Sequence, residues 1–119
     1  MRILIVDDSS AMRRIVQRSL RMAGHDGHTV FEAENGVVAL TVAEESSPDL
    51  VLSDWNMPEM NGLEFLKALR AKGSKVPFGF ITTECTPEMR DQATAAGAGF
   101  LLAKPFTPED MSIALSSVL

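Results

Sequence analysis

Ile3-Leu4-Ile5-Val6-Asp7-Asp8 lies almost at the start of the chain, an unbroken apolar run that stops at a pair of carboxylates. A short run without polar alternation reads as a parallel strand buried on both faces. The same construction recurs: Leu50 to Ser53 ends at Asp54, Phe78 to Ile81 at Thr82 and Thr83, and Phe100 to Ala103 at Lys104. Open α/β folds gather ligands outside the carboxyl ends of their strands. The four endings thus predict three carboxylates, a hydroxyl pair and one ammonium in one crevice, which by itself repels anions and invites a divalent cation.

Segments of helical period separate the runs, the pattern of a βαβ protein. After Asp8, Met12, Ile15, Val16, Leu20 and Ala23 recur at three- and four-residue steps, with Ser9 or Ser10 placed to cap the helix and Gly24 to end it. A second strand is expected over 28–32. Asn35-Gly36 introduces a helix carrying Val37, Leu40, Val42 and Ala43, which stops before Pro48 because proline disfavours helical geometry in its predecessor. The third strand covers 49–53, and Leu63, Phe65, Leu66 and Leu69 mark a helix closed by Gly73. Pro87 starts and Gly97 ends the fourth helix, and Thr107-Pro108-Glu109-Asp110 opens the fifth with a hydroxyl cap, a proline and acids at the positive dipole end. The expected fold is α/β, a doubly wound five-stranded parallel sheet in the order 2-1-3-4-5, as one domain over residues 1–119. That order sets strands one and three on either side of the switch point, so that Asp7, Asp8 and Asp54 face one another.

Composition bounds the partners. At 119 residues, 45% hydrophobic and 23% charged, the chain has the makeup of one soluble domain. Its net charge of -5 argues against a phosphate-backbone footprint, and hence against direct binding of nucleic acid. Cys85 is the single cysteine, which excludes an internal disulfide and fits a reducing compartment. No stretch is apolar enough to span a bilayer, and acids interrupt the amino-terminal run too early for a signal peptide, so the reading places the chain in the cytoplasm.

An all-oxygen site with few protein ligands and room for water suits Mg²⁺ better than zinc. The HxxH spacing of His25 and His28 sits in a glycine-flanked loop without partner ligands and reads as loop sequence. Asp7 is also placed to cap the first helix, Gly62 to permit a backbone shape near the site, Met57 and Met60 to pack a loop, and Cys85 to sit half-buried as a bystander. Trp55, directly after Asp54, is expected at the crevice rim as anchor or cover.

Asp7-Asp8, the stretch from Ser53 to Gly62, Thr82-Thr83 and Lys104-Pro105-Phe106 together resemble the receiver domain of two-component response regulators, of the single-domain chemotaxis type. The resemblance spans almost the whole chain and rests on four separated motifs in the right order. It implies that Asp54 accepts a phosphoryl group from a histidine kinase as an acyl phosphate. It implies Mg²⁺ held by Asp8, Asp54 and the backbone carbonyl of Asn56, with Asp7 acting through a coordinated water. Lys104 is then the point charge on a phosphoryl oxygen, Thr82 a hydroxyl donor, the Thr83 amide a helper, and the Lys104-Pro105 bond cis. Asn56 and Glu84, two residues beyond Asp54 and Thr82, are expected to overhang the path of the attacking water and so to set the lifetime of the phosphoryl group.

The resemblance also implies a partner surface. Arg14, Arg18 and Arg21 form a basic face on helix one, readable as solvated surface or as the docking face for a histidine kinase or phosphotransfer protein; the output protein is unknown. The pattern departs at Leu101, where the family carries an aromatic switch, and Phe100 points to the opposite face by strand alternation. Two other readings compete. A haloacid-dehalogenase-type phosphatase wants a carboxylate where Asn56 stands, and a flavodoxin-like cofactor binder wants a phosphate loop where Asp7-Asp8 stands. A receiver cut from a longer regulator, its output domain absent, is a further alternative.

Overall fold

The computed structural model describes residues 1–24 and 27–119. The elements alternate as β1 (Arg2–Val6), α1 (Ser10–Met22), β2 (Thr29–Ala33), α2 (Gly36–Ser46), β3 (Leu50–Ser53), α3 (Gly62–Ala71), β4 (Phe78–Thr82), α4 (Pro87–Ala96), β5 (Phe100–Ala103) and α5 (Pro108–Ser116). The sheet is parallel throughout, in the order β2-β1-β3-β4-β5. This is the doubly wound topology expected from the sequence.

Strand alternation sorts the core into two layers. Leu4, Val6, Val51, Phe78, Phe80 and Leu101 pack with residues of α2, α3 and α4, among them Ala39, Phe65, Leu66, Leu69 and Ala93. Ile3, Ile5, Leu50, Leu52 and Ile81 pack on the other face with Val16 and Leu20 of α1 and Met111 and Leu115 of α5. Helices therefore cover both faces, and the carboxyl ends of the strands stay open as a crevice.

Local chemistry explains where the helices begin. Ser9, Asn35, Asn61, Thr86 and Thr107 each accept a hydrogen bond from the backbone N–H three residues on, satisfying a donor that the first turn leaves unpaired. Asn61 with Glu64 and Thr107 with Asp110 close reciprocal capping boxes. At the far end of α4, Gly97 takes φ +98, the left-handed geometry that glycine adopts without a Cβ clash.

Four sequence expectations shift. β2 runs from Thr29 to Ala33, one residue later than expected, because the register pairs Arg2 with Thr29 and Val6 with Ala33. Ile15 is 51% exposed and Val37 50%, so neither joins the core: α1 buries the narrower stripe of Val16, Ser19 and Leu20, and α2 that of Ala39 and Ala43. Trp55 is not on the rim. It is only 8% exposed, its ring 4.7 Å from that of Phe80. The HxxH pair falls partly outside the described residues, since His25 is not among them.

An acidic crevice at the carboxyl ends of the strands

Sheet hydrogen bonds carry the polar endings to one edge. The Asp7 N–H donates to the Ala33 carbonyl at 3.1 Å, Asp54 N–H to Val6 at 2.8 Å, and Lys104 N–H to Thr82 at 2.8 Å. Each pairing continues the ladder one residue past a strand, so Asp7, Asp54, Thr82 and Lys104 end up side by side. Asp7, Asp8 and Asp54 each offer a carboxylate oxygen, and these lie within 4.8 Å of one another. Asp7 is buried, Asp54 half-buried and Asp8 exposed, so the cluster opens to solvent on the Asp8 side.

Lys104 bridges two of the three. Its Nζ stands 3.1 Å from Asp7 Oδ2 and 3.4 Å from Asp54 Oδ2, with side-chain exposures of only 13%, 5% and 12% for the three residues. Each carboxylate also accepts one backbone donor: Asp7 Oδ1 from Ser9 N–H at 2.9 Å, and Asp54 Oδ1 from Trp55 N–H at 2.7 Å. The helix cap is thus Ser9, not Asp7. Asp54 Oδ2 is left facing the ammonium rather than the main chain. The Lys104-Pro105 peptide is cis, as the resemblance implied.

Burial raises the Asp54 carboxyl above the usual carboxylate range; Lys104 pulls it down, and neighbouring Asp7 pushes it up. The folded chain therefore holds this proton more tightly than the unfolded chain does. Between the two pKa values the native state binds more protons, so this group makes stability fall as pH rises through that window, and the full penalty persists above it. Asp54→Asn removes the penalty and keeps an acceptor for the Trp55 N–H. In chelator at neutral pH its melting midpoint is expected a few degrees above wild type, with the gap closing as acid neutralises Asp54. Asp8→Asn should act with the same sign by thinning the cluster. Lower midpoints for both variants would contradict a repulsive carboxylate cluster.

Thr82 supplies a further mark of a ligand. It is fully buried, yet its Oγ1 has no hydrogen-bond partner among the described residues. A buried hydroxyl without a partner is costly unless a ligand satisfies it. Thr83, Glu84 and Asn56 are exposed around this edge. Gly62 is where the following loop closes on the site: its N–H donates to the Trp55 carbonyl at 2.8 Å, and a Cβ there would stand 2.1 Å from the Asp54 carbonyl oxygen. Glycine is required by that approach. Met57 and Met60 pack against the core beneath the loop, and Cys85 is half-buried, as read from the sequence.

The helix-one arginines and the pair Phe100 and Leu101, singled out in the sequence, are also placed. Arg14, Arg18 and Arg21 are all exposed on α1. Leu101 is buried in the α4 layer, and Phe100 lies on the other face, its ring across Gly79 where a Cβ would come within 2.0 Å. Alternation therefore separates the two residues as expected. Arg13 was missed by sequence reasoning. Its guanidinium reaches back to the Asp7 carbonyl at 2.6 Å, and no local signal distinguishes it from the arginine beside it.

A 2-1-3-4-5 sheet that gathers three aspartates, a buried threonine hydroxyl and a lysine at its switch point defines the receiver class of α/β domain. Comparison with known proteins agrees: the model of the response regulator receiver domain matches residues 3–116, and the chain belongs to that family. It is similar to a chemotaxis protein CheY homolog of Campylobacter jejuni, 44% identical over all of this chain and 92% of the relative. It is likewise similar to the chemotaxis protein CheY1 of Helicobacter pylori, 42% identical over all of this chain and 97% of the relative. Among solved structures, the chemotaxis protein CheY4 of Vibrio cholerae superposes with a TM-score of 0.87 at 39% identity, covering 99% of this chain and 98% of its own. No helix among the described residues is long and apolar enough to cross a membrane.

Proposed function

We propose that this chain is a single receiver domain over residues 1–119 whose partner binding is switched by phosphorylation of Asp54, in a chemotaxis-type pathway and in the cytoplasm. One observation carries the reading: a half-buried carboxylate with one oxygen fixed by the main chain and the other facing a lysine, beside two further aspartates. The donor set is all oxygen, small and open to solvent through Asp8, which fits Mg²⁺. Asp8, Asp54 and the Asn56 carbonyl would hold the ion, with Asp7 acting through a water. When bound, it supplies the charge that lets a phosphoryl group approach three carboxylates.

The chain's own residues do the rest. Asp54 Oδ2 attacks phosphorus and the bond to the donor nitrogen or oxygen breaks, its electron pair leaving with the donor. Lys104 shifts its attraction from the two carboxylates to a phosphoryl oxygen, and the Thr82 hydroxyl donates to a second oxygen, gaining the partner it lacks. The Thr83 amide assists from the adjoining turn. The chain promotes its own phosphorylation and dephosphorylation and turns over no separate substrate. A haloacid-dehalogenase-type phosphatase is not favoured, because Asn56 leaves no carboxylate two residues beyond the nucleophile. The decisive experiment is intact mass after incubation with Mg²⁺ and acetyl phosphate.

Two finer assignments accompany this reading. Arg14, Arg18 and Arg21 are exposed on α1, as is the apolar Ile15, a combination suited to an acidic-rimmed helical face of a histidine kinase or phosphotransfer protein. Asn56 and Glu84, both exposed beside the crevice, set the lifetime of the acyl phosphate by admitting or excluding water. Replacing Asn56 with arginine, or Glu84 with leucine, is expected to change the decay rate several-fold after donor removal while leaving uptake intact. Unchanged decay in both would point these side chains elsewhere.

A further inference from the structure

We propose that Arg13 is a positioning residue for the cation site, holding the Asp7-Asp8 peptide at the angle that projects Asp8 into the crevice. The inference rests on the Mg²⁺ reading of the acidic cluster.

Arg13 lies within the first four residues of α1, where a cation opposes the positive end of the helix dipole. Its placement is therefore unfavourable for the helix and calls for another cause. The side chain is 17% exposed and folds back over the helix start. Nη1 donates to the Asp7 carbonyl at 2.6 Å, and Nε donates to Glu32 Oε1 of β2 at 2.9 Å. The planar fork reaches two acceptors at once, a geometry that a lysine ammonium does not reproduce.

Asp7 is then held at every polar atom. Its N–H is bonded to Ala33, its carboxylate to Ser9 and Lys104, and its carbonyl to Arg13. Fixing the carbonyl fixes the plane of the following peptide, and with it the direction in which Asp8 leaves the strand. Asp8 needs this support, because no hydrogen bond or ion pair engages its carboxylate among the described residues. Groups that orient ligands in this way are worth roughly 10–100-fold in metal affinity.

The sign of the effect separates positioning from simple charge. Removing a cation near three carboxylates would by Coulomb attraction alone tighten Mg²⁺ binding, whereas loss of positioning weakens it. The test is a calorimetric Mg²⁺ titration of wild type, Arg13→Met and Arg13→Lys, with melting of each in chelator. Arg13→Met is expected to bind roughly tenfold more weakly. Arg13→Lys, which keeps the charge and loses the fork, is expected to fall in between. Binding by Arg13→Met as tight as wild type, in a protein that still melts cooperatively, overturns the proposal. Should Arg13→Met fail to fold, wild-type affinity in Arg13→Lys overturns it in its place. A wild type that binds no Mg²⁺ removes the metal reading, and the inference falls with it.

Discussion

With acetyl phosphate and Mg²⁺, the wild-type chain is expected to gain one phosphoryl group, and Asp54→Asn none. The crevice holds three carboxylates, so the prediction must distinguish among them. Asp7 is engaged on both oxygens, by the Ser9 N–H and by Lys104, and is 4% exposed. Asp54 shares this pattern of contacts, so what separates Asp7 is its burial, which shields both of its oxygens from a donor. Asp8 is accessible, yet among the described residues no cation pairs with its carboxylate to steady the transferring oxygens. Asp54 alone combines an oxygen anchored to the Trp55 N–H, a second oxygen facing Lys104, and partial access. Burial raises its pKa in the metal-free chain, so Mg²⁺ must displace a proton held more tightly than on an ordinary carboxylate, and uptake should need more Mg²⁺ as the pH falls. Asparagine matches its shape but offers no anionic oxygen, so the loss should be complete rather than partial. Full labelling of Asp54→Asn would sink the assignment.

Asp8→Ala is expected to abolish measurable Mg²⁺ binding and, with it, phosphoryl uptake. Lys104 already compensates Asp7 and Asp54, whereas no described residue compensates Asp8. Asp8 therefore contributes the charge that is still available to an incoming cation. Its position on the solvent side also makes it the first carboxylate such an ion meets. A calorimetric titration of Asp8→Ala that matched wild type would place the cation away from this cluster. Retained uptake without metal binding would show instead that Lys104 by itself carries the charge of the phosphoryl group.

The strands and helices were legible because their signals are local. An unbroken apolar run, a hydroxyl or amide three residues before a helical N–H, and a glycine at a helix end each act within one turn of chain, so Asn35, Thr107 and Gly97 could be read in place and the first cap narrowed to Ser9 or Ser10. The site was legible for a related reason. In a doubly wound parallel sheet every strand ends at the same edge, so reading the residue after each run was enough to assemble Asp7, Asp8, Asp54, Thr82 and Lys104. Sequence alone also separated Phe100 from Leu101, since a period of two admits no other outcome.

Burial and reach were decided only by the tertiary structure, because each depends on what the next layer covers. Ile15 fits the helical period of α1 as well as Val16 does, but α1 meets the sheet along a stripe too narrow to include it. Trp55 follows the crevice carboxylate Asp54, yet its indole turns inward and packs on Phe80. Arg13 and Arg14 are indistinguishable as neighbours in a basic helix. One reaches the Asp7 carbonyl and Glu32 while the other stands in solvent, a difference made by the helix's rotation over β1 and β2. Periodicity assigns a residue to a face, and only the packing of the layers decides how much of that face is buried and which distant group a long side chain can touch.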